Sequence, residues 1–390
     1  MMNQRDLSEL RRRLNPDKRN PTVLRGCYVD SEGKVISTFV QAVARLPQEE
    51  NEKYMAIFKK CLSGTAGQNL LPIDFTPEQV ETGETHRLLM TLRDTGLQDA
   101  SAVDEFCGRA IAYVRAKHDE LAQSVDAQQA ADNYLILLLH DGYDLPVRTA
   151  GDELDREQSS EMFSYILCAV CPVRQSKPSL RYFAAESEFH SRETDWVVGV
   201  PDLGFLFPAF EERSANIHRA LYYTRDAADL HDAFLQSVFN AQPQMTAPEQ
   251  KEALQAILQE TLQEECSLDV VQTMHETVSA MIEEQKADKN AEALCLTGRD
   301  VKQVLENCGV SQEKQAAFEE RYAESFGEQA AIPAVNVVAP KQFRIDTPNV
   351  SIKVDPEHSD LVETRMIDGR YYIVILADGD VEVNGMRINC

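Results

Sequence analysis

Asn133-Tyr134-Leu135-Ile136-Leu137-Leu138-Leu139 and the stretch from Ser164 to Val173 are two short, nearly unbroken apolar runs. Trp196-Val197-Val198-Gly199-Val200, Phe205-Leu206-Phe207 and Ala220 to Thr224 add three more. Runs of this length, bounded by Gly, Pro and Asp, suit strands buried on both faces. They predict an α+β core domain over residues 1–240, with a central mixed β-sheet and flanking helices.

Toward the N-terminus, residues 5–14 suit a short basic helix. Gly26-Cys27-Tyr28-Val29 leads through Ser31-Glu32-Gly33 into Val35-Ile36-Ser37-Thr38-Phe39, a hairpin or a strand entering a helix. Tyr54, Met55, Ile57, Phe58, Cys61 and Leu62 have helical spacing, and Gly64 sits where a C-terminal cap belongs. His86 to Leu92 suits a strand and Val103 to Val114 a helix.

Toward the C-terminus, residues 241–249 look like a linker. An acidic helical segment is expected over 250–327. Leu254, Ile257, Leu258, Thr261 and Leu262 share one face there, and Phe318, Tyr322 and Phe326 stripe its last helix. Residues 241–330 carry 18 acidic and 7 basic side chains, a net −11. Residues 328–341 suggest a second linker. Over 342–390, Val350, Ile352 and Val354 alternate with polar residues, as do Val362, Thr364 and Met366; Tyr372, Val374 and Leu376 read as a third set at the same period. Asp368-Gly369, Asp378-Gly379 and Asn384-Gly385 are hairpin turn signals, so this segment is expected to be a small β-meander packed on another part of the chain.

The 390 residues include 39 basic and 64 acidic side chains, a net −25. Such a field repels phosphate and argues against bulk binding to DNA or an anionic membrane. The N-terminal sequence lacks the apolar stretch of a secretory signal, and apolar runs such as Tyr134 to Leu139 are far below the roughly 18 residues that span a bilayer. Nine cysteines, an odd number, are scattered through a long chain, several in apolar segments. Reduced, mostly buried thiols in a cytoplasmic protein account for them better than a disulfide framework.

Several strings together carry a resemblance. They are Gly26-Cys27-Tyr28-Val29, Leu62-Ser63-Gly64-Thr65, Asn133 to Leu137, Tyr165-Ile166-Leu167-Cys168-Ala169-Val170-Cys171-Pro172, Asp195-Trp196-Val197-Val198, Gly204 to Phe210, Leu221-Tyr222-Tyr223-Thr224 and Val381-Glu382-Val383-Asn384-Gly385. Over nearly its whole length the chain resembles a domain-of-unknown-function family of bacterial cytosolic proteins common in Gram-positive anaerobes. The resemblance implies a bacterial cytoplasmic protein and carries over no activity, cofactor or site residue.

Candidate chemistry is sparse. Cys168 and Cys171 form one CxxC, but on a strand residues three apart face opposite sides, and no second pair completes a zinc site. Neither a cofactor nor a metal is implied. Ser63-Gly64-Thr65-Ala66-Gly67 lacks the Gly-Lys-Ser/Thr ending of a phosphate loop and fits a helix cap as well.

His140-Asp141, followed by Asp144, ends an apolar strand. With Asp195 and His218 these residues form a candidate catalytic set for a metal-dependent hydrolase or phosphoesterase. Convergence of His140, Asp141, Asp195 and His218 in one cleft is the arrangement that reading needs. Loop polarity at strand ends is the simpler account. Trp196, Tyr222 and Arg213 are candidate binding residues, although aromatics in apolar strands usually belong to the core. Trp196 is therefore expected to be buried against Phe205, Phe207 or Tyr222.

Residues 5–25 hold seven basic side chains (Arg5, Arg11, Arg12, Arg13, Lys18, Arg19 and Arg25) against three acidic ones, a net +4. The segment could meet an acidic surface of this chain, a protein partner or another copy; contact with RNA is less favoured. The helices near 298–307 and 312–326 imitate a helix-turn-helix, but Glu313, Glu319, Glu320 and Glu324 give the second the wrong charge for a major groove. The sequence leaves open whether the protein is an enzyme. It favours a non-enzymatic binding, regulatory or assembly protein.

Overall fold

Strands that are apolar at consecutive positions need cover on both faces, and the first half of the chain supplies it. The computed structural model describes all residues except 1, 16–22, 124–131, 145–146, 149–153, 156–161, 193, 212, 289, 378, 380, 384 and 389–390. Lys18, Arg19 and Cys390 lie outside the described residues. The chain divides into two compact units, Met1–Thr246 and Ala247–Cys390.

In unit 1 the order is α1 (Gln4–Arg13), β1 (Val23–Val29), β2 (Val35–Ala42), α2 (Gln48–Cys61), β3 (Leu70–Asp74), α3 (Pro77–Thr82), α4 (Glu84–Asp94), α5 (Ala100–Gln123) and β4 (Asn133–Asp144). A short pair follows, β5 (Val147–Arg148) and β6 (Leu154–Asp155), then β7 (Met162–Gln175), the arm β8 (Ser179–Phe183) and β9 (Glu188–Arg192), β10 (Trp196–Val198) and β11 (Leu203–Phe207). Another short pair, β12 (Ala209–Glu211) and β13 (Ser214–Asn216), precedes β14 (Arg219–Thr224) and α6 (Asp232–Phe234).

The central sheet has eight strands in the order β2-β1-β4-β7-β11-β14-β3, with β10 also beside β7. The expected mixed sheet is corrected here: every ladder in it is antiparallel. Antiparallel neighbours can be joined without the helical crossovers that parallel strands require.

One face packs Ile136, Leu138, Cys168, Val170, Phe205 and Tyr222 under α4, α5 and residues 232–239. The other packs Leu135, Leu137, Tyr165, Leu167, Leu206 and Tyr223 under α1 and α2. Cys168 and Cys171 fall on opposite faces, and burial pushes both thiols up, Cys171 to about 12. Gly204 permits the close approach of α2: a Cβ there would sit 2.5 Å from Cys61 Sγ.

His86 to Leu92 is helix, not strand. Leu88, Leu89 and Leu92 repeat at helical spacing on the buried side of α4. His86 is held by Ile217 O, 2.9 Å from Nε2, and by the rings of Phe75 and Phe207.

Unit 2 contains α7 (Ala247–Leu262), α8 (Leu268–Ala287), β15 (Cys295–Thr297), α9 (Gly298–Asn307), α10 (Gln312–Phe326), β16 (Ala331–Pro333) and α11 (Ala334–Val337). Leu254, Val278, Leu305, Phe318 and Tyr322 form its core. Thr297 and Asp300 make a reciprocal capping box at the start of α9. Residues 328–341 are no linker. Ile332 pairs with Leu296 and is buried together with Ala334 and Val338, because its small apolar side chains complete this core.

The remainder is not a meander but three separate hairpins: β17 (Phe343–Thr347) with β18 (Val350–Val354), β19 (Val362–Ile367) with β20 (Arg370–Ile375), and β21 (Val381–Val383) with β22 (Met386–Ile388). A 3-10 segment, Pro356–Leu361, separates the first two. The first two hairpins root on α8: Gln272 Nε2 donates to Ser359 O and Val362 O at 2.8 and 2.9 Å, and Phe343 meets the His275 ring.

Candidate functional site

The sequence places His140 and Asp141 side by side on β4, and strand alternation sends them to opposite faces. Asp141 points into the α1 side. It is fully buried and accepts from Tyr165 Oη at 2.8 Å, from Arg13 at 3.1–3.3 Å and from the Gly142 N–H at 2.9 Å. Arg13, from the basic N-terminal segment, therefore pairs with a carboxylate of the sheet. His140 lies near the turn at Gly96, with Nε2 3.0 Å from Ser164 Oγ. Burial pushes its imidazole pKa down, the Asp141 charge resists, and Arg93 adds to the lowering.

The other members of the candidate set are elsewhere. Asp144 is exposed at the end of β4, opposite Met162. Asp195 is exposed beside Ser176, which donates its N–H to Asp195 O at 2.8 Å. His140 pairs with Ile166, and Trp196, next to Asp195, pairs with Gln175. Nine residues of β7 separate those rows, so the two ends lie ~30 Å apart. His218 is exposed just before β14, three strands from β4 and hence ~14 Å away across the sheet. His140, Asp141, Asp195 and His218 do not meet in a cleft. Among the described residues, no three His, Cys, Asp or Glu side chains are grouped so that they could hold a metal ion.

The candidate binding residues also separate. Tyr222 is buried and donates to Leu230 O at 3.0 Å. Arg213 reaches Glu9 of α1 at 2.8 Å. Trp196 is not buried: it is 51% exposed, because β10 pairs only with the last residues of β7, where the helices no longer cover the sheet.

A polar network that the sequence reading missed lies at the Tyr134 end of β4. Tyr113 Oη, from α5, donates to Asp202 at 2.9 Å, and Arg225 reaches the other Asp202 oxygen at 2.9 Å. Tyr134 stands against the Tyr113 ring, and burial followed by the Asp202 charge pushes its phenol up to about 12. Beside it, Asp229 accepts from the His231 N–H at 2.9 Å, and Lys117 Nζ reaches the same carboxylate. Burial alone would raise the Asp229 pKa; the bonds from His231 and Lys117 outweigh it and hold the carboxyl well below its usual value. Raised phenols donate without ionising near neutral pH, so the network ties α5 to the loops at 201–202 and 225–231. The only sequence signal for it was the density of charge directly after the apolar run 220–224.

An exposed apolar surface lies in unit 2. In β19–β20 the turn at Asp368-Gly369 has positive φ at both residues, 49° and 74°, and sets the register Met366↔Tyr371, Thr364↔Ile373, Val362↔Ile375. One face of the hairpin thus holds Val362, Met366, Tyr371, Ile373 and Ile375 with Thr364, and no charge. Val362 is buried at the root, whereas Met366, Tyr371, Ile373 and Ile375 are 63%, 81%, 37% and 53% exposed. The set Tyr372, Val374 and Leu376 read from the sequence is not this face: the register puts Tyr372 and Val374 opposite Arg365 and Glu363 on the other one. β20 is apolar at both parities, so only the turn decides.

Among the described residues no helix is long and apolar enough to cross a membrane. No curated protein and no solved structure matches the chain. A family model, "Domain of unknown function (DUF4317)", matches residues 2–386. With the match spanning both units, the chain belongs to that family.

Proposed function

We propose that the protein is a non-enzymatic cytoplasmic binding and assembly protein, and that the C-terminal hairpins carry its docking surface. The observation behind this reading is the uncharged, solvent-facing side of β19–β20. A two-stranded hairpin is marginal in water, and a soluble protein exposes a contiguous apolar face of this kind chiefly where something covers it. The titratable side chains that could have argued for catalysis support it from the other direction. Asp141, Asp202 and Asp229 are each engaged by a basic or phenolic partner within the fold, and the hydrolase set is spread along the sheet. The scattered thiols, five of them buried, favour a reducing compartment.

The test is a photo-crosslinking amino acid placed in the full chain at position 371 and, as a control, at exposed Lys53. Adducts formed in cells from position 371 and absent from position 53 are the expected result. No adduct from either position removes the hairpin as a docking surface.

A further inference from the structure

We propose that the apolar face of β19–β20 docks on the same face of a second copy of this chain. The inference rests on the reading of that hairpin as a docking surface and names its occupant. The face is self-complementary: Thr364 and Ile373 occupy its middle row, flanked by Met366 with Tyr371 toward the turn and Val362 with Ile375 toward the root. Two such faces related by a two-fold axis can interdigitate, each residue meeting the counterpart of its own neighbour. Stacked ~10 Å apart they form a four-stranded sandwich, which supplies the second layer a lone hairpin lacks.

Area and charge favour a copy of the same chain. At roughly 200 Å² for a fully bare large side chain, Met366, Tyr371, Ile373 and Ile375 together present about 450 Å². Two copies bring about 900 Å² before the backbone and the polar rim are counted, close to the roughly 1,000 Å² that a specific interface needs. Elsewhere the net −25 opposes contact between copies. Over 362–376, however, Glu363 and Asp368 are balanced by Arg365 and Arg370, so this hairpin brings no net charge to a contact with its own copy, and salt screens charges more than about 8 Å away.

The decisive experiment is sedimentation velocity of the full-length chain across micromolar concentrations. Dimers are expected. Met366→Lys with Tyr371→Lys should shift the species to monomer with an unchanged circular dichroism spectrum, since both side chains are exposed. The double lysine variant mixed with Met366→Glu and Tyr371→Glu should recover dimer at low salt. That recovery also guards against loss through misfolding. A wild-type chain that stays monomeric at every concentration overturns the inference. So does a dimer that persists in both charged variants, which would place the contact on another surface. Crosslinks from position 371 to a different protein, with a monomeric wild type, would leave the docking reading standing and refute the self-docking one.

Discussion

β4–β7 and β19–β20 are both antiparallel ladders, yet they solve different problems. β4 is buried from Tyr134 to Leu139 and β7 from Tyr165 to Val173, apolar at consecutive positions and covered by helices on both sides. β19–β20 has one face made of uncharged residues alone, and among the described residues of its unit no layer covers that face. The contrast shows what an apolar pattern specifies: its period reports how many faces are covered, and it leaves the source of the cover unstated. In unit 1 the helices of the same chain provide it. In the hairpin, among the described residues of its own unit, the same physical demand stays unmet.

The sharpest way to break this comparison is to remove side chains from the doubly covered sheet. Phe205 is fully buried among Phe106, Phe234 and Phe239. Phe205→Ala should cost about 3–5 kcal/mol in urea unfolding, through lost transfer energy and the cavity left behind. A loss below about 1 kcal/mol would mean that this face is not the core of the unit. Tyr371→Ala, at the bare face, should change the stability of the dissociated chain by no more than about 0.5 kcal/mol.

Arg13 tests the polar side of the same sheet. Asp141 is buried and keeps Tyr165 and the Gly142 N–H when Arg13 is removed. Arg13→Met therefore leaves a partly satisfied buried carboxylate and should cost about 2 kcal/mol. Because Arg13 retains some exposure, the loss should shrink as salt screens the pair in the parent protein. An Arg13→Met variant with parental stability at low salt would show that α1 is held by Leu7, Leu10 and the Glu9–Arg213 pair without help from Asp141.

A smaller effect is expected from pH. His140 titrates below its ordinary value of 6.5 in the fold, from burial first. The unfolded chain then binds a proton that the folded chain does not, so stability rises with pH in that window. The contribution is complete above about 6.5 and erodes as pH falls from there toward the folded value. His140→Gln should flatten this part of the stability–pH curve while keeping a hydrogen bond to Ser164. An unchanged slope would assign the acid sensitivity to another group.

Much of the sheet was legible because consecutive apolar residues leave a helix or a buried strand as the only options, and short runs flanked by Gly, Pro and Asp favour the strand. The same shortness misled at His86 to Leu92, where Leu88, Leu89 and Leu92 fit a helix once Thr85 and His86 are counted with them. The site was less legible. Asp202 and Tyr113 are 89 residues apart and meet only through tertiary packing. The bare hairpin face depends on a register set by two turn residues, since β20 offers apolar side chains at both parities.

Trp196 makes the finest test, because it belongs to an apolar run by sequence and to the rim of the sheet by structure. Its neighbours Val197, Val198 and Val200 are exposed too, so the apolar character of this run does not mark core. β10 pairs with Val173, Arg174 and Gln175, and only Val173 of these is buried. As the protein's single tryptophan, Trp196 reports this position alone. Its emission should be red-shifted in the native protein and quenched by acrylamide nearly as well as in urea. Trp196→Ala opens no closed cavity, so it should cost about 0.5 kcal/mol or less, against several for Phe205→Ala on the same sheet. A blue-shifted, protected emission would mean that something covers β10 in solution.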